Sequence, residues 1–386
     1  MKIAVIGCGY WGPNLIRNFS QLDKVEELYC CDLDNKRLDR VTNLFPMVKG
    51  VRDYQELLKM PDLDGVAIAT PVYSHFPLAK EFLEQGKHVL VEKPLTHSLE
   101  TSLELIKVAE KNNRIIMVGH TFEYTAAVHK IKEIVESGEL GKILYISCTR
   151  VNLGLFQNDI NVVWDLAPHD ISIILYVLGE FPVSVNCQGK AHFKSELQDV
   201  AITTLNFRNG LIAFVHNSWL DPKKIRKMTI VGTRKMLVYD DIEAQEKIKI
   251  YDKGLEIPPY YDTFAEFHFS YRSGDTYSPR IEEYEPLRKQ CGTFLECIKK
   301  EIYPPTDGHN GMRVVAILEA SSKSLKQAGK EIPLRLSKEE KPIPKNGYGY
   351  PLFSKVPLKN KRETPLSVLQ KKGAAQTKRS VMALEV

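Results

Sequence analysis

The first thirty-two residues constrain this chain more than any other stretch. An apolar run, Lys2-Ile-Ala-Val-Ile6, leads into Gly7-Cys-Gly9-Tyr10-Trp11-Gly12, a helix is expected from about Asn14, and a second apolar run from Val25 to Cys31 ends in Asp32. In an open α/β sheet, ligands bind at the carboxyl ends of the strands, where these glycines fall. Each glycine has its own task. Gly7 permits the tight turn, Gly9 has no side chain to hold a pyrophosphate off the backbone, and Gly12 lets the helix pack closely on the strand. The helix start then presents free N–H groups and a positive dipole to the phosphates. Asp32, twenty residues after Gly12, can accept hydrogen bonds from a ribose diol. A glycine turn can be purely structural, but strand, glycines, helix, strand and acid in this order argue for a bound dinucleotide.

The chain continues in the same style to about residue 121. A helix-like stretch covers 35–44, and Asp53 is placed to cap a short helix through Leu58. Gly65-Val-Ala-Ile-Ala69 reads as a buried strand ended by Thr70-Pro71, with a helix over 74–84 and Gly86 as its terminator. His88-Val-Leu-Val91 delivers Glu92-Lys93-Pro94 to the carboxyl edge that already holds the glycine turn. Ser98 caps another helix, and a strand over 115–118 ends at Gly119-His120. Such alternation predicts a doubly wound parallel sheet of Rossmann type for residues 1–121.

Residues 122–336 change pattern. Val128, Ile131 and Val135 mark an amphipathic helix stopped by Gly138, a long strand is expected over 143–152, and Trp164-Asp-Leu-Ala-Pro-His169-Asp170 opens a helix reaching Leu178. At least five strand-like runs follow between 183 and 250, including a hairpin at Asn209-Gly210, before helical stretches at about 286–300 and 311–328. This predicts an α+β second domain with an open, largely antiparallel sheet and helices on one face.

At 386 residues the chain suits two domains, and 43% hydrophobic with 26% charged residues is globular composition. Its net charge of +5 sits in the last fifty residues: 337–386 hold eleven Lys/Arg against four Asp/Glu, so the body carries −2. That argues against a nucleic-acid partner and for a basic, Pro/Gly-interrupted C-terminal arm. No apolar run approaches the roughly 18 residues of a membrane span, so no membrane partner and a cytoplasmic location are expected. The seven cysteines form no C-x-x-C pair, which predicts reduced thiols and no metal site.

Three stretches that a sheet edge and a helix start could bring together hold Lys93, Asp165 and His169. On a helix, Asp165 and His169 would share a face one turn apart, although Asp165 could equally be just the N-cap. The chain from Met1 to about Pro333 resembles the glucose-fructose oxidoreductase and inositol dehydrogenase (Gfo/Idh/MocA) family. Its likeness lies in Gly7-x-Gly9-x-x-Gly12, Ala69-Thr70-Pro71 with His75, Gly86-Lys-His-Val-Leu-Val-Glu92-Lys93-Pro94, and Asp165-x-x-x-His169. The resemblance implies an NAD(P)-dependent sugar or polyol dehydrogenase and a homo-oligomer, dimer or tetramer. It gives Lys93, Asp165 and His169 the catalytic roles and puts Tyr10, Trp11, Thr70, Pro71, His75, Glu92, Lys93 and His120 with the glycines and Asp32 around the cofactor. NAD is expected over NADP, because Asp32 would repel a 2′-phosphate; Arg37 is the residue that could soften this. His169, with an ordinary pKa near 6.5, is the expected base, Asp165 its orienter and Lys93 the donor to the developing alkoxide.

Further segments, including Arg150-Val-Asn152-Leu-Gly and Asn161-Val-Val-Trp-Asp165, are similar to members acting on nucleotide-activated amino sugars, such as UDP-N-acetylglucosamine 3-dehydrogenases. For such a substrate Arg150, Arg272 and Arg280 would bind phosphate, and Tyr260, Tyr261, Tyr271 and Tyr277 would stack on the base. Tyr124 and Asn152 complete the expected substrate contacts. The tyrosine-rich segment reads almost as well as a subunit interface. A dehydrogenase of a free sugar or inositol, and a non-catalytic NAD-binding regulator, are the other two readings of the chain.

Overall fold

The computed structural model describes residues 1–154, 156–194, 196–256 and 270–335. The 337–386 arm, Tyr260 and Tyr261 lie outside them. The first half alternates β1 (Lys2–Ile6), α1 (Gly12–Ser20), β2 (Glu27–Cys31), α2 (Asn35–Leu44), β3 (Val48–Val51), α3 (Tyr54–Leu58), β4 (Gly65–Ile68), α4 (Val72–Glu84), β5 (His88–Val91), α5 (Leu99–Lys111) and β6 (Ile116–Val118). The strands form one parallel sheet in the order β3-β2-β1-β4-β5-β6, so the strand order reverses between β1 and β4. That reversal opens the crevice in which doubly wound sheets bind ligands. Strands this short carry apolar side chains on both faces, Ile3 and Val5 on one and Ala4 and Ile6 on the other, because helices cover both.

A 3-10 turn, Thr121–Tyr124, leads to α6 (Ala126–Glu136), β7 (Ile143–Leu153) and α7 (Val162–Leu178). Then come β8 (Ser184–Lys190), β9 (Val200–Asn206), β10 (Ile212–Ser218), β11 (Leu220–Gly232), β12 (Met236–Asp240), β13 (Ile248–Glu256) and β14 (Ser270–Tyr277), and finally α8 (Pro286–Lys300), α9 (Gly308–Lys326) and β15 (Ile332–Pro333). The second sheet runs β14-β13-β12-β11-β7-β10-β9-β8-β15, antiparallel except where β7 and β10 pair in parallel. The hairpin expected at Asn209-Gly210 joins β9 to β10, with Gly210 at φ 82°.

Two local expectations change. The helix carrying Asp165 begins at Val162, because Asn161 Oδ1 caps it by accepting from the N–H groups of Val163 and Trp164 at 3.1 and 3.2 Å. Asp165 is therefore not the N-cap; it lies within the first turns, where its charge suits the helix dipole. Expected to complete the second domain, α8 instead packs Leu287, Cys291, Phe294 and Leu295 against Ile3, Leu15 and Phe19 of the first sheet's layer. Its apolar stripe fixed which face is buried but not which sheet would bury it. No helix among the described residues is long and apolar enough to cross a membrane.

Candidate active site

The glycine turn is built as a cradle. Gly7 has φ 98° and donates its N–H to the Cys31 carbonyl at 2.8 Å; a Cβ there would meet the Ala69 carbonyl oxygen at 2.7 Å. A Cβ on Gly12 would sit on the Gly7 carbonyl, so the helix can start here only with glycine. A Cβ on Gly9 would make only an ordinary contact, with Arg37 Nη1 at 3.7 Å. No side chain caps α1, whose positive dipole end lies at this turn. Asp32 Oδ2 accepts from the Cys8 N–H at 2.7 Å and Oδ1 from the Asp34 N–H at 2.8 Å, so the carboxylate holds the loop and keeps lone pairs for a diol. An uncapped helix start, a glycine with no side chain in the way and a carboxylate at the end of β2 fit an adenine dinucleotide.

The other expected cofactor residues divide. Tyr10 is 84% exposed over the turn. Trp11 donates through Nε1 to Glu92 Oε1 at 2.8 Å, and burial pushes the Glu92 carboxyl up to about 7. Thr70 and the exposed Pro71 form the turn after β4, with Thr70 Oγ1 accepting from the Ser74 hydroxyl at 2.6 Å. His75 is buried with both ring nitrogens against backbone carbonyls, Pro94 at 2.9 Å and Thr70 at 2.8 Å. It staples the Thr70 turn to the loop after Lys93, so its polar atoms are spent on the protein. His120, at the end of β6, is buried with neither ring nitrogen bonded, and burial holds it down to about 3, hence neutral.

Opposite this edge, α7 brings its first turns. Lys93 Nζ donates to the Asp165 main-chain carbonyl at 2.8 Å and lies 3.5 Å from Asp165 Oδ1. Asp165 Oδ2 accepts from Trp219 Nε1 at 3.0 Å. His169 packs edge-on against Phe122, centroids 5.0 Å apart, and its Nδ1 has no partner. Burial, then the Lys93 ammonium, push the His169 imidazole well below its ordinary value, so the ring is neutral and a weaker base than a free imidazole. The three expected reacting residues thus converge, with one correction: Asp165 is bonded to Lys93 and Trp219, and no hydrogen bond joins it to His169. The four-residue spacing shares a helix face, but Trp219 and Lys93 offer stronger donors to the carboxylate.

Several expected substrate residues are used elsewhere. Arg150 is buried, its Nε and Nη2 bound to both oxygens of Asp170 at 2.8 and 2.9 Å while its guanidinium stacks on Phe122 at 4.6 Å. A buried bidentate pair of this kind is structural, and breaking one typically costs about 3–5 kcal/mol. Tyr124 is 1% exposed, with its hydroxyl sharing a hydrogen bond with Thr306 at 2.9 Å in the seam between the two sheets. Arg272 binds Asp252 at 2.9 Å and the Arg234 carbonyl on β14, four strands from β7 and so roughly 19 Å across the sheet. Tyr271 is 85% exposed and Tyr277 bonds Glu139 on that same far edge. Arg280 is exposed beyond β14. Asn152 remains half-buried at the end of β7, beside Gly154. Trp219 and Phe122 were not expected; each lies far in sequence from its partner, and no local pattern marks the pairing.

Comparison with known proteins agrees with this architecture. Residues 1–120 match the GFO_IDH_MocA model, "Oxidoreductase family, NAD-binding Rossmann fold", and residues 128–238 match the GFO/IDH/MocA C-terminal domain. The chain is 24% identical to myo-inositol 2-dehydrogenase of Thermotoga maritima over 85% of its length and 97% of that protein. It is 25% identical to UDP-N-acetylglucosamine 3-dehydrogenase of Acidithiobacillus ferrooxidans, over 82% of this chain and 94% of the relative. The solved structure of the latter protein superimposes with TM-score 0.69 at 22% identity, covering 85% of this chain and 98% of that one. The chain belongs to the GFO/IDH/MocA family and is an NAD-dependent dehydrogenase acting on CH–OH.

Proposed function

We propose that this protein transfers a hydride between NAD and a secondary hydroxyl of a sugar or cyclitol, with Lys93 and His169 handling the oxygen and its proton. The observation that carries this is the convergence of the Lys93 ammonium and a neutral His169 at the carboxyl edge beside the glycine cradle. When bound, NAD supplies the hydride acceptor. Lys93 donates to the substrate oxygen, and the bond strengthens as charge develops there. His169 takes the hydroxyl proton on a ring that burial keeps uncharged, and returns it in the reverse direction. Asp165 directs Lys93 rather than the imidazole.

A second reading, oxidation of the 3-hydroxyl of a UDP-activated amino sugar, is favoured by the likeness to UDP-N-acetylglucosamine 3-dehydrogenase over most of both chains. Against it stand two of the three arginines expected at a diphosphate, Arg150 engaged by Asp170 and Arg272 on the far edge of the second sheet. Incubating the protein with NAD and inositols, free sugars or UDP-amino sugars, and following absorbance at 340 nm, decides between them. Reduction with inositols or free sugars alone supports the first reading and reduction with UDP-sugars alone the second. No reduction with any, while NAD still binds, would overturn both readings of the substrate.

A further inference from the structure

Trp219 stands between β10 and β11, 54 residues from Asp165 in sequence, yet its indole N–H is the donor that fixes the Asp165 carboxylate. Its place is set independently of that bond. The ring is 1% exposed and packs on Phe156 with centroids 5.3 Å apart; the Trp219 N–H donates to the Asp199 carbonyl at 2.9 Å, and its own carbonyl accepts from Gly154 at 3.2 Å. A buried indole can only donate, and it needs an acceptor. Asp165 Oδ2 supplies one, which turns Oδ1 toward Lys93 Nζ in an ion pair at 3.5 Å, while the Asp165 main-chain carbonyl accepts an N–H of the same ammonium at 2.8 Å. An ammonium has three donors. One is held by the Asp165 main-chain carbonyl and the charge faces Oδ1 of the same residue, so the ammonium is directed from one side and keeps an N–H for another oxygen.

We propose that Trp219 is a positioning residue for the reaction: by holding Asp165 Oδ2 it sets the direction of the Lys93 ammonium and leaves one N–H for the substrate oxygen. This rests on the reading of Lys93 given above. It has a consequence that packing alone would not produce. In Asp165→Asn, an intact Trp219 forces the amide oxygen toward the indole and so turns the amide NH₂ against the Lys93 ammonium. Removing the indole N–H frees the amide to rotate its oxygen toward Lys93. The Trp219→Phe change should therefore lower turnover in wild type but not lower it further in Asp165→Asn.

Two measurements test this. In the first, steady-state kinetics with NAD and whichever of the inositols, free sugars or UDP-amino sugars is oxidised compare wild type, Trp219→Phe, Asp165→Asn and the double variant. The expected result is a kcat loss of about tenfold for Trp219→Phe with NAD affinity unchanged, and no further loss, or partial recovery, when it is added to Asp165→Asn. An equal loss in both backgrounds, or none in wild type, overturns the proposal. Phe156→Leu, which alters the packing of the ring and no hydrogen bond, controls for packing. The second needs no turnover: the chain has three tryptophans, so ¹⁵N-labelled indole gives three side-chain N–H resonances. The one lost in Trp219→Phe should move in Asp165→Asn and in Lys93→Met. If it stays put in both, Trp219 does not sense Lys93 through Asp165. If Lys93→Met moves the resonance but leaves turnover intact, the assigned role of Lys93 fails while the coupling stands.

Discussion

Lys93 Nζ lies 2.8 Å from the Asp165 carbonyl oxygen and 3.5 Å from its carboxylate, so one residue of α7 reaches across the seam between the two sheets to hold the lysine at the end of β5. Lys93→Met removes a charge-assisted donor whose effect grows as the substrate oxygen becomes anionic. Turnover should fall about 10²–10³-fold while NAD affinity changes little. Asp165→Asn keeps the main-chain bond to Lys93 and should be milder. Steady-state kinetics beside NAD titration by fluorescence separate the two; a Lys93→Met enzyme that binds NAD poorly and turns over normally would contradict the assignment.

The pH profile identifies the base. Because burial and Lys93 push the His169 imidazole well below its ordinary value near 6.5, the acid limb of kcat/KM should lie well below pH 6.5. His169→Ala should abolish that limb and cut the rate about 10²–10⁴-fold. Persistence of the limb in His169→Ala, with its loss in Lys93→Met, would make Lys93 the base instead.

Much of this is legible in the sequence. The alternation of apolar runs and helix-like stretches in residues 1–121 gives the parallel sheet, since each parallel connection needs a covering helix. Lys93 and the glycines stand out because strand ends are where such sheets work. What local pattern could not give was pairing over distance. Asp165 reads as a partner for His169 only until Trp219, a residue of another strand's end, takes its Oδ2. Arg150 reads as a phosphate ligand until Asp170, twenty residues on, buries it. Tyr124 and α8 show the same limit: an apolar or aromatic residue announces burial, and only the assembled seam says against what.

Asp32 has two tasks that a substitution will expose together. Its Oδ2 holds the Cys8 N–H at 2.7 Å, and Arg37 Nη1 lies 3.7 Å from the place a Gly9 side chain would take, beside the same turn. Asp32→Ala should weaken NAD binding strongly, by losing both the diol contact and the loop anchor. NADP binding should suffer less, because the repulsion of the 2′-phosphate disappears and Arg37 is near. Dissociation constants of both cofactors for wild type and variant check this; a wild type that already prefers NADP refutes the ribose assignment.

Arg150 offers a stability test that bears on substrate. If its guanidinium serves Asp170 and Phe122, Arg150→Ala leaves a buried carboxylate alone and should cost about 3–5 kcal/mol in denaturant unfolding. Pairing it with Asp170→Asn should recover part of that loss, since the stranded charge is gone. Unchanged stability with a selective rise in KM for a UDP-sugar would restore Arg150 to a phosphate role.

Glu123 predicts how the fold responds to alkali. It is buried in the 3-10 turn between the sheets, where its carboxyl accepts from Asn310 Nδ2 at 3.2 and 3.3 Å, and Asp307, Lys132 and Arg313 act on it from α9 and α6. Burial, the largest influence, raises it to about 8 from an ordinary 4.5; Asn310, Lys132 and Arg313 oppose the rise without cancelling it. Between those pH values the folded chain holds a proton that the unfolded chain has lost, so stability falls as pH rises through this window and levels off above it. Glu92, raised to about 7, acts in the same direction and is common to wild type and variant. Glu123→Gln removes only its own share. Thermal unfolding should give nearly equal Tm values for wild type and Glu123→Gln near pH 5, and a higher Tm for the variant at pH 8.5. Parallel curves across that range would mean that Glu123 is ionised in the native protein, held by Lys132 and Arg313 more firmly than its burial opposes.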